Sequence, residues 1–445
     1  IMKKLVALAL TLILALGCMG AFAEETTEIY FLNFKPEIAE VYEEIAAAYE
    51  AETGVHVNVV TAAAGTYEQT LRSEIAKADA PTIFQINGPV GLQSWKDYCL
   101  DLADTEFYDM LSDKTLAVTE GDAVYGIPYV VEGYGIIYND AIMDAYFASE
   151  NKSTEYTSMD EIKSFDALKA VVEDMTALKD ELGIQGVFAS TSMAAGEQWR
   201  WQTHLLNMPI YYEFRDAGGE NTILTGLDAA EITFSYNENF KNLFDLYTNN
   251  SVTAKGLLSN KTTNDSMAEF ALGQCAMVQN GNWGASQILG VEGNVVANDD
   301  IKFLPLYTGV EGEEAQGLCI GTENYLCVNS QVSEEKQQAS IDFLVWLFSS
   351  ETGKAYVKND LMFLSPFNTF EDDEMPEDPL SREVLRWMEM DGVTSVPWTF
   401  ACFPSEQFKN YVGDALLEYL QGSMDWDGVV QATIDAWASE RALTA

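Results

Sequence analysis

Two periods of apolar residues alternate along the first part of the chain. Ile29-Tyr30-Phe31-Leu32 is a short apolar run, and Pro36 then opens a segment in which Ile38, Val41, Ile45 and Tyr49 recur at helical spacing while Glu40, Glu43 and Glu44 take the opposite face. Thr53-Gly54 supplies a left-handed stop, after which Val55-His56-Val57-Asn58-Val59 alternates as a strand does. A second helix over 67–77 leads into the apolar run Thr82-Ile83-Phe84-Gln85-Ile86. The order strand, helix, strand, helix, strand predicts a parallel sheet flanked by helices, an α/β fold. Ligands of such open sheets sit beyond the carboxyl ends of the strands, which singles out Asn33-Phe34-Lys35 and Asn87-Gly88-Pro89.

Farther along, 140–270 is richer in helix. An amphipathic segment from Ser164 to Leu182 is closed by Gly183, and Gly186-Val187-Phe188-Ala189 follows as a strand. Strand pattern returns near Cys275 and gives way to loops around Gly281 and Gly284. Ser333 is a fitting cap for a helix over 334–350, with an acidic first turn and apolar Ile341, Leu344, Val345 and Leu347. Glu371 to Pro379 reads as an acidic loop, and no internal repeat is present.

The N-terminus changes the setting. Lys3 and Lys4 precede an apolar run from Leu5 to Leu16, too short for a spanning helix, which needs about 20 residues, and Ala21-Phe22-Ala23 is a small-residue cleavage pattern. Residues 1–23 are expected to be a secretory signal; the alternative is a lipoprotein signal ending before Cys18, which would tether the protein outside the cell. The rest of a 445-residue chain exceeds one growing core, so two lobes are expected. The formal charge is −46, two units more negative once Lys3 and Lys4 leave. Such a surface repels nucleic acid and argues against a polyanionic ligand, unless a local basic pocket overrides the mean field. Cys99, Cys275, Cys319, Cys327 and Cys402 have no framework spacing, although a bridge such as Cys319 to Cys327 stays open.

Catalytic and cofactor signatures are sparse. His56 and His204 are the only histidines, which speaks against a His-dependent triad or a multi-His metal centre, and His56 is expected to be structural. No G-x-G-x-x-G follows the first strand, and Gly353-Lys354 lacks the rest of a phosphate loop. Neither 371–374 nor 425–428 has calcium-loop spacing. No cofactor or metal is expected. Glycoside hydrolysis needs only two suitably spaced carboxylates and stays open among 70 acidic residues.

Loops that mix aromatics with amides and carboxylates carry the positive signal: Val131-Glu132-Gly133-Tyr134-Gly135, Trp199-Arg200-Trp201-Gln202, Gln279-Asn280-Gly281-Asn282-Trp283 and Val396-Pro397-Trp398-Thr399-Phe400. A pyranose stacks its C–H faces on flat rings and must regain hydrogen bonds for its hydroxyls, and these residue types offer both. Trp283 directly follows a strand, where a binding group belongs, whereas Trp95, Trp346, Trp387 and Trp437 read as core. The candidate binding set is Asn33, Phe34, Lys35, Asn87, Glu132, Tyr134, Trp199, Trp201, Gln202, Trp283 and Trp398.

At Gly126 to Asn139, at Met277 to Trp283 and at Ala339 to Gly353, the chain resembles the extracellular solute-binding proteins of ABC importers, in the carbohydrate-type family that includes maltose-binding protein. The resemblance spans nearly the whole mature chain. It implies two lobes, each a mainly parallel sheet flanked by helices, with the first crossing near Pro128 to Tyr138 and the sugar in the cleft. By the same resemblance Glu132 is a cleft carboxylate, Trp283 a stacking residue and Lys35 part of the first contact loop. Asn87 stands where maltose-binding protein has an aromatic followed by charged residues, a departure that weighs against maltodextrin. The lobes are expected at 24–135 plus about 272–325, and at 136–271 plus about 326–445. A monomeric, non-enzymatic receptor that delivers a carbohydrate to the importer's membrane subunits is expected. The alternatives are the same fold carrying a polyamine or peptide, and a secreted glycosidase.

Overall fold

The structure, a computed structural model, describes residues 27–444 apart from 64, 219, 220 and 323. The expected signal segment 1–23 and Cys18 lie outside the described residues. Among the described residues twelve strands run β1 (Glu28–Asn33), β2 (His56–Thr61), β3 (Ile83–Ile86), β4 (Val118–Glu120), β5 (Ala123–Gly126), β6 (Glu132–Asn139), β7 (Gly186–Phe188), β8 (Cys275–Gly281), β9 (Ile301–Leu304), β10 (Gln316–Gly321), β11 (Tyr325–Val328) and β12 (Thr394–Pro397). The opening pattern folds as its periods predict: β1 pairs in parallel with β2 and β3, and the helix Ala39–Thr53 between them stops at Gly54, whose φ is 78°. Its buried stripe is Tyr42, Ile45, Ala46 and Tyr49, so Tyr42 rather than Val41 faces the sheet. Ser164 caps the helix Phe165–Ala177 through the Ala167 N–H, and Ser333 caps Glu334–Ser349 through Lys336.

Two larger sheets divide the molecule. One has the order β11-β3-β1-β2; the other runs β12-β10-β6-β8-β7, with β9 also on β6. In the second sheet the parallel pairs β7–β8 and β10–β12 flank β6, which is antiparallel to β8, β9 and β10. That sheet is therefore more mixed than expected, because β6 enters it straight from the other lobe without a helical crossover to align it with its neighbours.

The return segments divide differently from the expectation. β8, β9 and β10, placed by the sequence reading in the first lobe, pair around β6 in the second sheet. β11 joins β3 in the first sheet, from Tyr325↔Ile86 to Val328↔Ile83. The helix after it sends Ile341, Phe343, Leu344 and Leu347 into the core that holds Ile29, Phe31 and Tyr42. Residues from about 325 to 370 thus belong mainly to the first lobe, although Met362 and Leu364 already pack with the second lobe's strands, and from Pro379 the chain packs with the second. The reason is burial: β8 is buried at every position and needs strands on both sides, which β6 and β7 provide. Cys319 and Cys327 fall in different cores, which removes the bridge left open between them.

Candidate ligand-binding cleft

The loop after β1 is held from within. Asn33 donates from Nδ2 to the Lys35 carbonyl at 2.8 Å and accepts the Lys35 N–H at 3.1 Å, while the Phe34 N–H donates to Gln85 Oε1 at 2.7 Å. This fixes Lys35 so that its ammonium meets Glu132 Oε1 at 2.7 Å, with Glu37 at 3.8 Å. Lys35 comes from the first lobe and Glu132 opens the central strand of the second, so the pair crosses the seam. Both are buried, and burial lifts the Glu132 carboxyl above its ordinary value while Lys35 pulls it back.

Trp283 stands beside the pair, with the Lys35 ammonium 5.6 Å from its ring. Asn282 carries it into place: its N–H donates to the Gly133 carbonyl at 2.9 Å and its Oδ1 accepts the Gly133 N–H at 3.0 Å, clamping the turn after β8 to β6. Two glycines seat the rings. A Cβ at Gly281 would lie 2.2 Å from Trp283, and one at Gly321 would lie 2.5 Å from Trp398. Around Trp283 gather Trp199 at 6.1 Å, Trp398 at 6.3 Å, Tyr134 at 6.4 Å and His204 at 5.3 Å, between ring centres. Tyr134 also stacks on His204 at 4.3 Å.

His204 lies in a π-helical turn, Arg200–Leu205, in which the Leu206 N–H reaches back to the Trp201 carbonyl. Such turns are rare and concentrate at functional sites. Burial first, then Arg200, Lys409 and Lys35, hold its imidazole well below the ordinary value, so the ring is neutral at pH 7. Several buried polar atoms at or near this seam have no hydrogen-bond partner among the described residues: His204 Nδ1, Trp398 Nε1, Asn87 Oδ1 and Arg200 Nε and Nη2. Native interiors rarely leave such groups unmet.

The wall opposite Trp283 comes from Leu361, Met362 and Phe363, and the space enclosed with Lys35, Glu37 and Glu132 is about 10 Å³. That is room for roughly one water, against the several hundred Å³ of a small-molecule site. The seam is shut.

Of the candidate residues, Lys35, Glu132, Tyr134, Trp199, Trp283 and Trp398 come together at this seam. Asn33 and Phe34 sit behind it as supports, Phe34 edge-on to Tyr67 at 5.5 Å. Asn87 heads the helix Gly88–Trp95, whose first residue, Gly88, approaches Ala401 of the other lobe. Gln202 packs against Gly413, away from the aromatic cluster. Trp201 is a correction: it is 1% exposed and edge-on to Phe244 and Tyr247, in the second lobe's core. One residue separates it from Trp199 in sequence, and in a helical turn that turns the two rings to different sides. Sequence reasoning gave no role to His204, although it lies just past the candidate loop 199–202, or to 361–363.

Two α/β lobes, joined by chain passing between the sheets at 127–131, between β10 and β11 and before Pro379, with a ring-lined polar seam between them, define a two-lobed ligand-capture protein. The chain belongs to the bacterial extracellular solute-binding protein family, whose sequence profile matches residues 44–382. It accordingly works outside the cytoplasm, and among the described residues no helix is long and apolar enough to cross a membrane. Solved structures of similar fold include a chitin oligosaccharide binding protein, with TM-score 0.71 and 15% identity over 94% of this chain and 100% of that one. RafE in complex with raffinose gives TM-score 0.69 and 16% identity over 94% and 100%. The GacH receptor of Streptomyces glaucescens, solved unliganded and with acarbose, gives 0.65 and 17% over 94% and 99%. Among curated protein sequences none matches.

Proposed function

We propose that the chain is a non-enzymatic, monomeric receptor that captures a carbohydrate between its lobes and delivers it to an ABC importer. The observation that carries this is Trp283: a half-buried ring at the seam, flanked by Trp199 and Trp398 and touching an ion pair that spans both lobes. Rings for the sugar faces and charged hydrogen-bonding groups for its edge meet there. The similar structures named for chitin oligosaccharide, raffinose and acarbose support the same ligand class. Access requires the lobes to part, and closing on a sugar that touches both lobes is favoured by its differential affinity for the closed form. An amine-bearing solute would want unpaired carboxylates, whereas Glu132 and Glu37 both neighbour Lys35.

A calorimetric and tryptophan-emission screen of neutral and acidic mono- and oligosaccharides tests the proposal. One class should bind and shift the emission, and Trp283→Ala should weaken it by about 1 to 3 kcal/mol. Affinity unchanged in that variant, or steady release of product from a chromogenic glycoside, would overturn it.

A further inference from the structure

Arg200 is a buried cation that no ion pair accounts for. It is 2% exposed and its guanidinium lies over the Trp199 ring at 4.7 Å. Trp199 reaches His204 at 5.0 Å and Trp283 at 6.1 Å, which puts Arg200 one ring away from both. Nη1 donates to Ser192 Oγ at 2.7 Å and Thr263 Oγ1 at 2.9 Å. Nε and Nη2 have no partner among the described residues, and no carboxylate there forms an ion pair with the guanidinium. The nearby acid, Glu197, is committed to the Thr263 N–H at 2.9 Å. The other cations bearing on His204 are matched, Lys35 by Glu132 and Lys409 by Glu406. A buried guanidinium without a counter-ion is costly, which calls for an anion from outside the chain.

The free atoms specify its shape. Nε and Nη2 form one edge of the guanidinium, and two parallel donors match the two oxygens of a carboxylate. Arg386 uses this same edge on Glu383, with Nε to Oε1 and Nη2 to Oε2 both at 2.8 Å. Among the described residues of a chain with 24 basic and 70 acidic ones, Arg200 thus stands unmatched against the seam aromatic Trp199, a local exception that the mean charge would not predict.

We propose that Arg200 binds the carboxylate of an acidic sugar, a uronic acid residue of the captured carbohydrate, beside Trp199. The assignment rests on the carbohydrate reading above and narrows it. Calorimetry on the mature chain would compare short oligogalacturonides and glucuronate-bearing xylo-oligosaccharides with their methyl esters, which remove the charge and keep the ring, and with neutral oligosaccharides. In one series the acid should bind at least tenfold more tightly than its ester, with a preference that shrinks in salt. Arg200→Gln should reduce that preference below twofold while ester binding persists, and Arg200→Lys should retain part of it. If Arg200→Gln does not fold, the acid-to-ester ratio in the wild type and in Arg200→Lys decides. Equal binding of acids and esters, binding of neutral sugars alone, or an equal loss for acid and ester in Arg200→Gln would overturn the assignment and leave carbohydrate capture standing. Binding of no carbohydrate at all would remove both.

Discussion

Consider Glu132→Gln. The side chain is 2% exposed, its Lys35 partner is 5% exposed, and the two meet at 2.7 Å. Removing one member of a buried pair leaves the other charged and unmatched, at a cost of about 3–5 kcal/mol. Lys35 keeps Glu37 at 3.8 Å and the Trp283 ring at 5.6 Å, contacts of about 0.5–1 kcal/mol each. The expected loss is therefore near the lower bound, about 3 kcal/mol. Lys35→Met should cost less, because burial already lifts the Glu132 carboxyl and a proton can replace the ammonium. The double variant leaves no stranded charge, so the two effects should fail to add by about 2 kcal/mol. Urea unfolding of the four proteins at pH 7 supplies the cycle. Small-angle scattering adds a second readout, since a pair bridging the lobes should favour the compact form and each single variant should expand it. Single losses that add to within about 0.5 kcal/mol, with no expansion, would refute the seam pair as a closure contact.

Trp201→Ala should cost about 3–5 kcal/mol of stability by emptying a core site, whereas Trp199→Ala, on a half-buried ring, should change binding more than melting; calorimetry and thermal unfolding separate the two. Gly281→Ala places a Cβ 2.2 Å from the Trp283 ring, so that ring must move, and ligand affinity should fall about tenfold, a change near 1.4 kcal/mol, in the same titration that measures the wild type. His204 has its pKa depressed by burial, so its neutral form contributes stability that is present above about pH 6.5 and is lost as pH falls toward its lower folded value. Unfolding free energies between pH 7 and 5 should fall less steeply in His204→Phe than in the wild type.

The first βαβαβ unit was readable because it is built from local signals: the Ile38-to-Tyr49 spacing, the Gly54 stop and the short apolar strands all fold where they stand. Partner choice was not local. β8 and β11 are both short and wholly buried, and nothing in either run says which sheet it joins; that was settled by β6 on one side and β3 on the other. The cleft divides the same way. Lys35 and Trp283 follow strands, where the strand-end rule finds them, whereas Glu132 opens β6 and is marked by the mix of aromatic and carboxylate around it. Trp199 and Trp201 share one sequence neighbourhood, and only the helical turn separates seam from core. His204 is buried among rings contributed by segments far apart in sequence, so no spacing pattern marks it.

The shut seam also says what a ligand must do. About 10 Å³ lies between Lys35, Trp283 and the 361–363 wall, so a sugar cannot enter this form and must meet one in which the Lys35–Glu132 bond is broken or shared. Binding then gains only what the ligand's contacts exceed those the empty seam already makes with itself. Two non-glycine residues with positive φ, Asn324 at 57° and Met362 at 55°, lie beside the chain crossings. Backbone in that region costs about 1–3 kcal/mol and persists where the surroundings over-determine it, so the crossings are where a change of lobe angle could release strain. A ligand that replaces the Lys35–Glu132 contact with its own hydroxyls, and supplies the missing partners of Trp398 and His204, stabilises the closed form through groups the unfilled seam leaves unmet. That favours polar, ring-shaped solutes over apolar ones of equal size, because only the former satisfy both the rings and the orphaned donors and acceptors.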